Sequence, residues 1–321
     1  MKGEIKQKTK LKGSFTSNFR RDMYMYLLLL PSFVVTIVFA YFPIPGIILA
    51  FKNIDLLAYE NVLIGMFVAP WADNFGFGNI IHFFKMPKIW NAVWSTFALS
   101  SFSIAFLSWI PIALAILFNE IKNRAFKRTV QTISYLPHFL SMVTIVGIVS
   151  VIYGEYGLVN DIRLFFMGPD TPRILLLAKQ WFFVPNILMV SVWTSAGWGT
   201  IIYLANISGI DAQLFEAAKM DGANKLKQVW YIILPSIIPV FVIMLIFSIG
   251  GIFTYSFDIV WGFKNTFIKF DTIDTLVFRT GIIEGKFVEA AAVGITRGAV
   301  GMFLVMTANW FAKKFTNTGF F

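Results

Sequence analysis

The sequence contains no cysteine, which excludes a disulfide framework, a thiolate metal centre and a cysteine nucleophile. Histidine is nearly as scarce: His82 and His138 stand far apart, and neither has a second histidine at metal-ligand spacing. Charge is sparse too. Only 14% of the 321 residues are Asp, Glu, Lys or Arg, too few to clothe a soluble domain of this size in a polar shell. No Gly-x-x-x-x-Gly-Lys-Ser/Thr phosphate loop is present, because Gly262-Phe-Lys264 and Gly285-Lys286 lack the glycine that must precede them. The net charge of +10 could signal nucleic acid. The basic residues flank apolar runs instead of forming one patch, so no nucleic-acid partner is expected.

What the chain has in abundance is long apolar sequence: 57% of its residues are hydrophobic and its mean hydropathy is +0.72. A hydrocarbon core about 30 Å thick is crossed by roughly 20 apolar residues in a helix. Six runs qualify, at 24–42, 92–118, 137–153, 181–204, 235–257 and 287–311. Each is continuously apolar, so its backbone must satisfy itself locally as a helix, and the alternation of a membrane barrel is absent. The reading is an all-α polytopic membrane protein with six transmembrane helices. The run opening at Tyr24 is longer than the apolar part of a cleavable signal, and further spans follow it. Sixteen Lys and Arg fall on one side of the bilayer, among them Lys122, Arg124, Lys127 and Arg128 after the second run and Lys219, Lys225 and Lys227 after the fourth; ten fall on the other. The richer side is expected to be cytoplasmic, with both termini on it. Residues 1–22 read as a basic cytoplasmic tail against anionic lipid. The loop 51–90 is broken by Pro70, Gly76, Gly78 and Pro87, which predicts external helices and turns instead of another span.

The segment between the fourth and fifth runs is the most informative. Ser208 and Asp211 have capping-box spacing, predicting a short helix from about Ala212. Gly222 is placed to end or bend it. A second helix is expected from about Lys225 until Pro235 opens the fifth span. Ala217, Ala218 and Ala223 are small enough to admit another surface close to the backbone, and Glu216 and Asp221 add charge to the exposed face. On these residues alone, a solvated cytoplasmic helical hairpin is the favoured reading.

Glu216-Ala217-Ala218, Gly222, Ile232, Leu234 and Pro235 meet every fixed position of the signature Glu-Ala-Ala, three residues, Gly, nine residues, Ile, one residue, Leu-Pro. By these residues the chain resembles the inner-membrane permeases of binding-protein-dependent ABC importers. Asn119-Glu-Ile-Lys-Asn-Arg-Ala-Phe-Lys-Arg128, Gln131-Thr-Ile-Ser-Tyr-Leu-Pro-His-Phe139, Gly197-Trp-Gly-Thr-Ile-Ile-Tyr203 and the ending Thr318-Gly-Phe-Phe321 look like the polysaccharide-uptake branch of the carbohydrate permeases. The resemblance implies a type I importer permease fold in the bacterial cytoplasmic (inner) membrane. It divides the chain into a tail (1–22), a first helix with external loop (23–90), a permease core of five helices (91–311) with a cytoplasmic coupling loop (206–234), and a C-terminal tail (312–321). Glu216, Ala217, Ala218, Asp221, Gly222, Ala223, Leu234 and Pro235 are thereby implied to couple the spans to an ATPase. The implied partners are a second homologous permease forming a heterodimer, two cytoplasmic ATPase subunits that hold ATP and Mg, and an extracytoplasmic sugar-binding protein. The chain itself is then no enzyme and holds no cofactor, and it imports oligo- or polysaccharides by alternating access.

Ionisable residues inside a span are costly, from about 2.5 kcal/mol upward, so each needs a reason. Arg297 falls near the middle of the sixth run. It reads either as a cavity-facing cation suited to a carboxylate of an acidic sugar, or as a residue paired with a partner helix or backbone carbonyls. Glu289, two helical turns earlier, is expected near the outer interface in solvent, with a cavity-lining role as the alternative. Tyr255, at the end of the fifth run, and Trp193, in the fourth, are aromatic candidates for sugar stacking, against ordinary packing or interfacial belts. Gly250-Gly251 reads as a close-packing position ahead of a hinge. An ion-coupled secondary transporter is the main rival, but no repeated pair of broken spans is visible. A membrane enzyme finds no nucleophile with its base.

Overall fold

The computed structural model describes residues 22–54 and 62–316. The basic tail, part of the external loop and the Thr318–Phe321 ending lie outside these. Among the described residues six helices are long and apolar enough to cross a membrane: Met23–Phe51, Pro87–Glu120, Met142–Met167, Gln180–Ser208, Lys225–Gly250 and Phe287–Lys314, here spans one to six. No strand occurs among the described residues; the only bridge joins Lys52 and Trp71.

Span four is the central helix. It packs on spans two and five and buries nine residues along its length, Ile187 and Val190 almost completely. Lipid tails are as apolar as leucine, so such contacts hold by dispersion and close approach, not by exclusion of water. Small residues make that approach possible. Span five meets span six where Gly250 faces Gly301: a Cβ on Gly301 would lie 2.8 Å from the Gly250 carbonyl oxygen. Gly250 is therefore a packing position. Span one stands apart, with no buried residue between Met23 and Thr36. Only its 3₁₀ end, Ile44–Phe51, lies on span six.

Three features depart from the sequence reading. The fifth span ends at Gly250, seven residues early. Residues 251–286 do not cap the bundle loosely but fold back into it as short helices Phe257–Phe263 and Ile273–Phe278 and a π turn Arg279–Ile283. Tyr255, Ile259, Val260 and Phe263 share one apolar core with Leu99, Ile145, Phe183 and Ile187. Hydrogen bonds pin the segment on two sides. The Ile273 N–H donates to Thr96 Oγ1 of span two at 2.8 Å, and the Lys269 N–H donates to Gln180 Oε1 of span four at 2.9 Å.

The second departure is a break before the third span. Helix Arg124–Tyr135, capped by Asn123, stops in a 3₁₀ turn at Leu136–Phe139, and Ser141 caps the next helix by accepting the Thr144 N–H. Pro137 lacks an N–H to continue a ladder, and Ser141 competes for the backbone, so the interruption has a local cause. The third is a π turn at Ser103–Leu107 inside span two. Pro111 leaves the Leu107 carbonyl without its usual donor. Upstream, the Ile104 carbonyl accepts from Ser108 Oγ (2.6 Å) and the Ala105 carbonyl from Trp109 Nε1 (3.1 Å).

Candidate functional site

At one end of the bundle the chain between spans four and five forms a projecting hairpin. The cap is Asp211, whose Oδ1 accepts the Gln213 N–H at 2.9 Å. Ser208 instead closes span four by donating to the Leu204 carbonyl, so the predicted capping box is not formed. The helix runs Ala212–Met220, and Gly222 ends it at φ +75°, a conformation costly for any residue with a Cβ. Asn224 then caps span five, accepting the Lys227 N–H at 2.9 Å. Span five begins here, at Lys225. It runs through a π turn at Val229–Ile233 that accommodates Pro235, so Leu234 and Pro235 lie inside a continuous helix and not at its opening.

The hairpin is anchored and yet bare. Ile210 and Phe215 pack onto a core formed by Ile112, Tyr203, Ile207 and Ile233 of spans two, four and five. Lys225 pairs with Glu120 at the end of span two at 2.8 Å. Gln228, buried, donates through Nε2 to the Ala223 carbonyl. The outer face is exposed: Glu216, Ala217 and Asp221 stand in solvent beside Leu214, and Met220 is 88% exposed, while Ala218 and Ala223 are half-buried.

Within the bundle lies a cavity of about 690 Å³. All three irregularities border it. The π turn of span two presents Ser103, Ile104 and Leu107; the break at Leu136–Phe139 presents Pro137 and His138; the start of the returning segment after span five presents Thr254, Tyr255 and Ser256. Span four supplies Ser191, Thr194, Ser195 and Trp198. Non-helical backbone at membrane depth is tolerated where it lines such a space. The lining is rich in hydroxyls and contains no Asp, Glu, Lys or Arg. Tyr255 is 9% exposed; its Oη lies 3.0 Å from Ser191 Oγ. Trp198 stacks on His138 with ring centres 4.6 Å apart and planes 5° from parallel.

The other candidates fall elsewhere. Trp193 is 41% exposed on the outside of span four. Ser191, Ser195 and Trp198 recur at spacings of four and three on the cavity face, and position 193 lies on the far side of the helix. Arg297 is outside the polar cavity, ion-paired with Asp274 of the short helix Ile273–Phe278. It borders a smaller apolar hollow with Phe84, Trp90 and Phe253. The other Asp274 oxygen accepts the Tyr255 N–H at 3.2 Å. One carboxylate thus joins span six to the turn that carries Tyr255. Glu289 is partly exposed, and one of its carboxylate oxygens, Oε2, is buried without a hydrogen-bond partner among the described residues. The π turn Arg279–Ile283 folds over the start of span six there, Gly281 against Ala290. Asp274, His138 and the serines of span four escape a reading of the sequence that places 258–286 outside the bundle and gives no weight to uncharged hydroxyls.

Residues 108–268 match the family described as binding-protein-dependent transport system inner membrane component. The polygalacturonan/rhamnogalacturonan transport system permease protein YteP of Bacillus subtilis is 38% identical over 94% of this chain and 91% of its own length. Protein LplB of the same organism is 34% identical over 96% and 94%. Among solved structures, a bacterial ABC transporter involved in the import of the acidic polysaccharide alginate superposes with a TM-score of 0.79 at 30% identity, covering 94% of this chain and 99% of that one. The alginate transporter in complex with its pentasaccharide-bound periplasmic protein matches at the same score, with 28% identity.

Proposed function

This chain belongs to the binding-protein-dependent transport system inner membrane components, and from that premise we propose that it passes an oligo- or polysaccharide, including acidic ones, through its polar cavity by alternating access. It is a multi-pass inner-membrane permease of the ABC importer type. The substrate class rests on the similar transport systems, named for polygalacturonan, rhamnogalacturonan and alginate. A hydroxyl-rich, charge-free lining with a cavity-facing tyrosine and a stacked Trp198–His138 pair is chemically suited to sugar, whose hydroxyls need partners and whose C–H faces lie on aromatic rings.

Power comes from other chains. In this reading the hairpin sits in the cytoplasm, where one of two ATPase subunits holding ATP and Mg grips it, and a second homologous permease completes the pathway. An extracytoplasmic binding protein delivers the sugar at the opposite end. The observation that carries this is the hairpin's double character. Its exposed face offers Leu214, Met220 and Glu216 to a partner, while Phe215, the Lys225–Glu120 pair and buried Gln228 lock it to spans two, four and five. A pull on a handle fixed in this way moves helices, which a loose connector would not do; such coupling needs an element with discrete arrangements. Docking removes exposed apolar surface such as Leu214 and Met220 from water, which is favourable, and an unpaired charge placed there opposes it. Leu214→Asp with Met220→Asp is expected to leave membrane insertion intact and to abolish co-purification of the ATPases and sugar-stimulated ATP hydrolysis. Retention of both would reduce the hairpin to a connector.

A further inference from the structure

At the end of the molecule away from the hairpin lies another concavity, of about 330 Å³. Its position follows from connectivity: Lys88 stands at the start of span two, whose far end, Glu120, touches the hairpin. Four cations line it, Lys88, Lys264, Lys269 and Arg279, with the carboxylate of Asp271 among them and that of Glu284 3.8 Å from Arg279 at the edge. The Asp271 carboxylate is already shared. Lys264 pairs with its Oδ1 and Arg279 lies 2.9 Å from its Oδ2. Lys88 and Lys269 have no acidic partner among the described residues. Lys88 also stands in the first turn of a 34-residue helical span, where the backbone dipole adds to the positive potential.

We propose that this pocket binds the carboxylate of a uronate unit in an acidic oligosaccharide before the sugar enters the polar cavity, an inference that rests on the saccharide-importer reading above. This chain's side of the cavity carries no fixed charge, so the cations it can offer a sugar acid lie outside that lining. The pocket supplies what a sugar acid needs beyond a cation. Asn91 and Ser95 share a helix face with Lys88 at spacings of three and four and offer partners to ring hydroxyls. Phe270, held against Phe183 with ring centres 5.4 Å apart, provides an apolar wall for a sugar face. A lone acidic side chain of a docking protein would leave these groups unused. The pocket also reaches the cavity through one short stretch of chain: Asp271 lines the first, and Asp274, a turn later, holds Tyr255 at the second.

The test uses the assembled importer, with both permeases, the ATPases and the binding protein, in vesicles of uncharged lipid. Uptake of trigalacturonate is compared with that of its carboxyl-reduced analogue for the wild type, Lys88→Gln/Lys269→Gln and Lys88→Arg/Lys269→Arg. The same binding protein serves every variant, so its own preference cancels. The glutamine pair is expected to cut the preference for the acid by about tenfold, the scale of losing one or two charge-assisted contacts, while the arginine pair retains it. An unchanged preference in the glutamine pair overturns the proposal. So does an equal loss of affinity for the unliganded binding protein, measured on immobilised complex, because the pocket would then be a protein interface. Wild-type importer that takes up neither oligosaccharide removes the saccharide reading itself, and the pocket's role with it.

Discussion

Single residues matter here mostly by what they leave out. Gly197 in span four faces Ser134 of the helix Arg124–Tyr135, and an added Cβ would fall inside van der Waals contact with the Ser134 backbone carbonyl. Backbone cannot swing aside as a side chain can. Gly197→Ala is therefore expected to destabilise the detergent-purified protein by about 2–3 kcal/mol, seen as a lowered Tm. Gly147, in the helix Met142–Tyr153, has nothing within 4 Å of the place a methyl group would take. Gly147→Ala should leave Tm unchanged or raise it, because alanine is favoured over glycine in a helix by up to about 1 kcal/mol. Equal effects of the two substitutions would show that the helices at Gly197 are not in close contact. The sequence marked Gly197 as a small residue in an apolar run, but nothing in it named Ser134 as the neighbour.

Among the elements, the returning segment 251–286 shapes the cavity most. Its short helices are held by side-chain bonds to spans two and four and by the Asp274–Arg297 pair to span six. Arg297→Gln removes the ion partner of the Asp274 carboxylate, a group only 16% exposed, and leaves it the Tyr255 backbone N–H. The expected cost is on the order of 2 kcal/mol, with a matching loss of sugar uptake as Tyr255 shifts. Adding Asp274→Asn removes the stranded charge and should restore part of the stability. If the double variant is no more stable than Arg297→Gln alone, the pair does not position the segment. Arg297 was conspicuous in sequence because a cation inside a span demands a reason. Its partner was not, because Asp274 lies in a stretch that reads as an external loop.

For the molecule as a whole, the absence of cysteine makes topology directly measurable. The excess of Lys and Arg on the hairpin side predicts that this side is cytoplasmic. In intact cells a membrane-impermeant maleimide should label Thr266→Cys and spare Lys219→Cys, with both labelled after permeabilisation; both positions are exposed. The reverse pattern would invert the orientation and place the hairpin out of reach of any cytoplasmic motor.

Composition and run length by themselves determined that this is a six-span helical membrane protein, because a bilayer offers no water to an unpaired backbone and so accepts few solutions. The hairpin's start at Ala212 and its end at Gly222 were equally legible, since a cap and a left-handed glycine are local events. Only the tertiary structure decided which residues face the path. It turned Trp193 outward and Tyr255 inward, paired Arg297, covered one carboxylate oxygen of Glu289, and drew Lys88 together with Lys264, Lys269 and Arg279 across residues far apart in the chain. Those outcomes depend on where helices break and how they pack, and packing between apolar surfaces of nearly equal chemistry leaves little trace in residue type.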